Sequence, residues 1–359
     1  MSKTEWLSAA PISATNSKAD TPLFPFLIRF IRGEDLSERE AAAFFRALTD
    51  LNANPAQIAG CLAALTAKGE TFEELAGMAR VMREQAVKIS ARGKNFIDLT
   101  GTGSSPAKTF NVSTAAAFVA AGAGLTVAKH TNRAVTSQTG SADVLGKLGV
   151  KVSGEPETAQ TLLSGAGMCF MFAPKFHPSL RRVGDIRRSL GIRSCLNLLG
   201  VLSNPAGAPK QLIGVWHQSL IEPVARAAAL LGTEKTWVVH GSDGLDEITL
   251  AGETFVAEVS GTKLRTFKIT PEDFKLQRAG IEHLKVQTAE QSAKIIKDVL
   301  SSRRRDEARS LIVLNAAAAL VIGGIAKDPV QAARLAEQSI DSGGAQNKLD
   351  RLIQTTNKR

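Results

Sequence analysis

Five short stretches of this 359-residue chain carry side chains suited to chemistry on an anionic, phosphorylated ligand. The first, Gly101-Thr-Gly-Ser-Ser105, has two glycines that let the backbone approach a phosphate, with Thr102, Ser104, Ser105 and Thr109 as hydroxyl donors. It matches neither a P-loop nor a dinucleotide fingerprint: no Gly-Lys-[Ser/Thr] follows, and Pro106 stands where a third glycine belongs. A loop with no ligand would read the same way. The second, Asn111-Val-Ser-Thr114, opens an Ala-rich helical stretch. One of Asn111, Ser113 and Thr114 is expected to cap that helix, and three small polar residues in four positions exceed what a cap requires. A glycine loop ending on a helix N-terminus makes an anion pocket, because backbone N–H groups and the helix dipole both face the ligand.

The third stretch, Lys129-His-Thr-Asn-Arg133, reads as a polar loop after the apolar run 125–128. It places two permanent cations, an imidazole and an amide at a strand end, where α/β proteins bind ligands, although a surface charge cluster would explain Lys129 and Arg133 alone. The fourth is the adjacent carboxylate pair Asp246-Glu247. Such a pair is either solvated or suited to magnesium on a diphosphate, which takes one or two protein carboxylates and keeps several waters. The fifth is Arg187, in a helix beginning near Pro178: a surface arginine, a partner of Asp185, or a reader of a ligand carboxylate. His130 and His177 are lone histidines, a pattern that is more often structural. No Ser-His-Asp or Cys-His arrangement stands out.

The elements that must position these residues fall into two regions. Ser37-Glu-Arg-Glu40 and Thr71-Phe-Glu-Glu74 are capping boxes, Asn54-Pro55 is an N-cap with proline at the first helical position, and Gly69 closes the helix between them. With an apolar segment over 23–31, they predict a helical domain over 23–92, packed as a bundle or in part against a second subunit. From residue 93 to 359 short apolar runs (96–99, 125–128, 150–152, 168–172, 212–216 and 236–240) alternate with helical stretches. That alternation predicts an α/β domain with a mostly parallel central sheet flanked by helices. Period-two patterning between 241 and 270 predicts an antiparallel hairpin, and helices resume near Thr288. The segment 178–208 is expected to pack on the helical domain, and 1–22 reads as a disordered polar extension.

Composition is ordinary for a globular protein, with 44% apolar and 22% charged residues. The longest apolar stretch, 310–326, is interrupted by Asn315 and two glycines, so it reads as a buried helix and no membrane association is expected. Cys61, Cys169 and Cys195 are scattered and odd in number, which suits free thiols in a reducing, cytoplasmic setting. A formal charge of +10 attracts anions, nucleic acid included. With 5% aromatic residues and no tyrosine, platforms for stacking single strands are scarce. The basic run 303–305 reads as a solvated turn.

Taken together, Gly101-Thr-Gly103, Asn111-Val-Ser-Thr114, Lys129-His-Thr-Asn-Arg133 and Asp243-Gly-Leu-Asp-Glu247 resemble the signature set of the anthranilate phosphoribosyltransferase family, over nearly the whole chain from Phe24. The resemblance implies the fold shared with pyrimidine nucleoside phosphorylases and a homodimer formed through the helical domains. It also implies magnesium-dependent (Mg2+) transfer of a phosphoribosyl group from phosphoribosyl pyrophosphate (PRPP) to anthranilate in tryptophan synthesis. Carried over by residue, it assigns PRPP to Gly101, Ser104, Ser105, Thr109, Asn111, Val112, Ser113 and Thr114, then to Lys129, His130, Thr131, Asn132, Arg133, Ala134, Val135, Thr136, Ser137 and Ser141. Anthranilate is assigned to Gly101, Asn132, His177 and Arg187, and the metal to Ser113, Asp246 and Glu247.

The chain departs from the family's pattern at Ser104-Ser105, usually Gly-Asp, and at Thr131, usually glycine, where a β-branched residue would resist positive φ. Gln138 stands where lysine is common, and Val201 where proline is. Two other readings compete: a nucleoside phosphorylase of the same fold, against which Arg187 and the tandem acids speak, and a non-catalytic nucleic-acid-binding relative, kept open by the charge.

Overall fold

Helix caps set the first region. The computed structural model describes residues 22–91, 93, 95–103, 105, 107, 109–133, 139–152 and 155–358; the expected extension 1–22 lies outside them except for Pro22. Helix α1 spans Phe24–Ile31, α2 Glu38–Thr49, α3 Pro55–Lys68 and α4 Phe72–Glu84. Ser37 and Thr71 form full capping boxes with Glu40 and Glu74, and Asn54 caps α3 by accepting from the Ala56 N–H. Their apolar faces share one core with later segments, including Val183, Leu199, Ile213 and Val224.

The second region follows as β1 (Phe96–Gly101), α5 (Val112–Gly122), β2 (Thr126–Thr131), α6 (Ser141–Lys147), α7 (Pro156–Ala166), β3 (Met168–Phe172) and the short α8 (Ala173–Phe176). Then come α9 (Arg181–Leu190), α10 (Cys195–Leu202), β4 (Lys210–Gly214), α11 (Ile221–Leu230), β5 (Lys235–Gly241), β6 (Thr254–Ser260) and β7 (Lys263–Ile269). The chain closes with α12 (Ala289–Leu300), α13 (Glu307–Gly323), α14 (Pro329–Asp341) and α15 (Gly344–Asn357). The strands form one seven-stranded sheet in the order β3-β2-β1-β4-β5-β6-β7. β1 to β5 are parallel, and β6 and β7 add the antiparallel excursion.

Period-two alternation sorts the sheet's side chains. Trp237 and Val239 enter the core that contains α5 and α13, while Val238 joins the core shared with α11 and the N-terminal helices. The segment after β3 leaves the sheet to pack there too: Val183 and Cys195 to Leu199 are buried in that core, and Arg83 of α4 donates to the carbonyl of Leu202 at 2.7 Å. Strand order runs from β1 outward to β2 and β3, then returns to the other side of β1 for β4 and β5. The reversal between β1 and β4 is a topological switch point, and the crevice outside the carboxyl ends of these strands is where open α/β sheets bind ligands.

Two expectations for this region change. The run 150–152 forms no strand, because its backbone closes α6: Gly149 at φ +93° donates to the carbonyl of Gly146, and Val150 donates to that of Leu145, a Schellman motif. The helix placed at Pro178 begins there only as a 3-10 turn, with α9 starting at Arg181. Among the described residues, no helix is long and apolar enough to cross a membrane.

Candidate functional site

A cleft of about 940 Å³ opens at the switch point. Its floor is the carboxyl ends of β1 and β2 with the loop after β5, and its far wall is α9 and α10. The acid loop is seated from below. A Cβ on Gly214, at the end of β4, would lie 1.7 Å from the carbonyl oxygen of Asp246, so only glycine lets the loop settle there. Asn315 of α13 accepts from the Ile248 N–H at 3.0 Å and donates to its carbonyl at 2.9 Å, holding the residue after Glu247 from both sides. Asp246 Oδ2 accepts from the Gly103 N–H at 2.9 Å, which ties the glycine loop to the acids.

Glu247 reaches the start of α5, where its Oε1 accepts from the Ser113 N–H at 3.2 Å. This corrects the expected cap. No side chain of Asn111, Ser113 or Thr114 caps α5, and a carboxylate from 134 residues away takes a helix N–H instead. Asn111 turns elsewhere, its Oδ1 accepting from Ser292 Oγ at 2.9 Å and Thr139 Oγ1 at 3.1 Å. Burial pushes the pKa of both acids up, and Asp246 pushes Glu247 further. No salt bridge within 4 Å neutralises either one among the described residues.

Lys129, 2% exposed, donates its Nζ to the Leu99 carbonyl and to Ser113 Oγ at 3.3 Å. The stretch Lys129 to Thr131 is therefore no loop: these three residues end β2, in register with Phe170, Met171 and Phe172 of β3. Strand pairing overrides their polarity, and all three side chains are buried beside the cleft. Thr131 is at home in this extended backbone and its φ is not positive, so the strain expected of a β-branched residue does not arise; its hydroxyl pairs with that of Ser141.

Gly101, Ser105, Thr109, Asn111, Ser113, Lys129, His130, Thr131, Asn132, Arg133, Ser141, His177, Arg187, Asp246 and Glu247 all line the cleft. Val112 and Thr114 do not; both are buried at the start of α5. Ser104, Ala134, Val135, Thr136 and Ser137 lie outside the described residues.

At the opposite end stand Arg187, His130 and His177. Arg187 does not pair with Asp185, which binds Arg188 instead. Its Nε is buried without a partner, burial lowers its pKa, and among the described residues no carboxylate pairs with it. The two imidazoles lie 5.0 Å apart at 58°. His130 Nδ1 meets the Gly200 carbonyl at 2.8 Å. The carbonyls of Met82 and Ser203 lie near His177 without reaching hydrogen-bond geometry to either ring nitrogen. Burial drives the pKa of His130 down to about 4 and that of His177 to about 3, so both are neutral at pH 7.

Among the described residues no group of three or more His, Cys, Asp or Glu is placed to cage an ion. Two acids with no salt bridge among the described residues, beside a serine, fit a hard cation that completes its shell with substrate phosphates and water. The site thus has an acidic, N–H-rich end and a cationic, aromatic end.

Comparison with known proteins agrees with this layout. Residues 93–346 match the glycosyl transferase family a/b domain and residues 25–86 its helical bundle domain. An anthranilate phosphoribosyltransferase of Chloroflexus aggregans is 48% identical over 89% of this chain and 94% of its own, and one of Moorella thermoacetica is 46% identical over 90% and 96%. The chain belongs to the anthranilate phosphoribosyltransferase family. The Thermus thermophilus family structure superposes with a TM-score of 0.86 at 37% identity, covering 93% of this chain and 99% of that one. A Saccharomyces cerevisiae structure in complex with PRPP and Mg gives 0.85 at 27% identity over 94% and 98%.

Within this family the chain's departures have visible consequences. Ser105, in place of an acid, donates Oγ to the Gly244 carbonyl at 2.6 Å, so the glycine loop is tied to the acid loop a second time. Val201 is buried in α10 and lines the cleft. Ser104 and Gln138 lie outside the described residues. Sequence reasoning missed Asp98, Asn204 and the role of Asn315. Each is a buried polar residue within or beside an apolar run, and that interruption was the available signal.

Proposed function

We propose that the protein transfers the phosphoribosyl group of PRPP to the amine of anthranilate, releasing pyrophosphate and forming N-(5-phosphoribosyl)anthranilate in tryptophan biosynthesis. One observation carries the reading: a guanidinium with no carboxylate partner among the described residues faces a cleft whose other end brings Ser113 and Glu247 within 3.2 Å. Arg187 would take the anthranilate carboxylate, with His130 and His177 as neutral walls for the ring. Gly101 and Asn132 line the same cleft and would touch both substrates. Lys129, the Ser113 end of α5, Thr109, Asn111, Arg133 and Ser141 would hold the PRPP phosphates.

Ser113, Asp246 and Glu247 would hold magnesium, which when bound offsets charge on the departing pyrophosphate. The chain's own part is orientation and desolvation. Lys129 and the α5 N–H groups favour negative charge as it builds on the diphosphate, and Arg187 aims the amine at the anomeric carbon. The reaction requires no covalent nucleophile.

The same reading makes the protein a cytoplasmic homodimer. Three buried free cysteines suit a reducing compartment. Helix α1 is apolar along most of its length yet buries only Phe30, leaving Phe24, Phe26, Leu27 and Ile28 part-exposed for a second copy. It also divides the chain at 92/93, with 178–208 packed on the helical domain. The basic run 303–305 is tied to acids, Arg303 to Asp298, Arg304 to Asp306 and Arg305 to Asp341, which weakens a nucleic-acid reading.

Purified protein mixed with PRPP, magnesium and anthranilate is expected to abolish anthranilate fluorescence, with each component required. No loss at micromolar protein would reject the proposal.

A further inference from the structure

Beneath the cleft lies a buried polar pair that the proposed chemistry leaves without a task. Asp98 of β1 is 0% exposed and Asn204, just after α10, is 1% exposed. Asp98 Oδ1 accepts from the backbone N–H of His130 at 3.1 Å, and Oδ2 accepts from Asn204 Nδ2 at 2.7 Å. The same Nδ2 donates to the Ala128 carbonyl at 2.8 Å, and Asn204 Oδ1 accepts from the Ala206 N–H at 2.9 Å.

The place of these contacts in the sheet gives them meaning. β1 pairs with β4 over all of Ile97 to Gly101, and β2 pairs with β3 over Val127 to Thr131. Between β1 and β2, however, backbone register covers only Phe96 with Thr126 and Ile97 with Val127. From there toward the cleft, side chains serve the β2 groups that face β1: Asn204 takes the Ala128 carbonyl and Asp98 takes the His130 N–H. The amide and the carboxylate satisfy the β2 groups that the backbone ladder leaves open at this end and tie β1, β2 and the segment after α10 to one another. One strand end leads into the Gly101 loop, the other carries Lys129 and Asn132, and Asn204 belongs to the segment that bears the α10 wall.

We propose that Asp98 and Asn204 are positioning residues, a polar wedge that replaces strand pairing between β1 and β2 and so fixes the spacing between the diphosphate end of the cleft and its aromatic wall. The inference rests on the function proposed above. Neither residue touches substrate; each acts through the backbone of 128–130. Loss of the wedge should leave each half-site able to bind while misplacing one substrate against the other.

Asn204→Ala and Asp98→Asn are compared with the unaltered protein by steady-state kinetics, with calorimetric binding of PRPP in magnesium as a readout free of turnover. The expected result is a fall in kcat of at least tenfold, with both KM values and PRPP affinity within about threefold. Asp98→Asn keeps an acceptor for the His130 N–H while setting an amide N–H2 against that of Asn204, and it serves as the test if Asn204→Ala does not fold. An unchanged kcat in either variant that folds, or a loss of PRPP affinity matching the loss of kcat, would overturn the wedge. Absence of transfer by the unaltered protein would instead overturn the functional reading beneath it.

Discussion

Replacing Arg187 by Met tests the cationic end of the cleft, because two physical consequences of the same burial pull in opposite directions. In the free protein the guanidinium is half-buried, and among the described residues its Nε has no partner and no acid pairs with it. Methionine fills similar volume without a charge to desolvate, so stability should be unchanged or slightly raised. With anthranilate bound, that charge gains its counter-ion. A hydrogen bond to a charged group contributes about 1.5–3 kcal/mol, so its loss should raise the KM for anthranilate about 10- to 150-fold. The KM for PRPP should stay within about twofold, since Lys129 and the acid pair are untouched. Lysine at the same position keeps charge but loses the planar fork and should recover only part of the affinity. Initial rates against each substrate, with urea denaturation of the same samples, decide the matter. Equal changes in both KM values, or a clear loss of stability in Arg187→Met, would show that the residue braces α9 and does not read a carboxylate.

Two further outcomes follow from the seating of the site. Gly214→Ala places a Cβ against the Asp246 carbonyl, so it should cost about 1–3 kcal/mol in denaturant unfolding and raise the magnesium needed for half-maximal rate; wild-type values for both would refute the seating. His177→Phe should change the pH dependence of stability. The folded pKa of His177 is about 3 and the unfolded value about 6.5. Between these the unfolded chain binds a proton that the native chain refuses, so the parent loses stability as pH falls below about 6. The variant lacks that loss and should gain on the parent by about 1.4 kcal/mol per pH unit from pH 6 down to pH 4, read from paired denaturation curves. A flat difference would mean that His177 takes up its proton as readily in the fold as in the unfolded chain.

Local chemistry settled much of this protein before any tertiary contact. Capping boxes at Ser37 and Thr71, the Asn54-Pro55 start and the Gly69 stop mark helices because orphan N–H and carbonyl groups must be satisfied within a few residues. The alternation of apolar runs with helical stretches dictates a parallel sheet in the same way. The candidate site was legible where a residue's type is unusual for its surroundings: a glycine loop after a strand, tandem acids, clustered cations.

Contacts made across long sequence separation could not be read so. Glu247 satisfies a helix start 134 residues earlier, which left Asn111 free to bind Thr139 and Ser292. Lys129 to Thr131 look like loop residues until β3 supplies their partners, and 150–152 looks like a strand until α6 takes the Val150 N–H and Thr356 that of Lys151. Whether Arg187 pairs with Asp185 depends on helix geometry that Arg188 exploits first. The wedge of Asp98 and Asn204 joins residues 106 apart. A buried polar group must find a partner, but only the folded chain determines which one, because the choice depends on which strand ends and helix termini the topology brings into the same few ångströms.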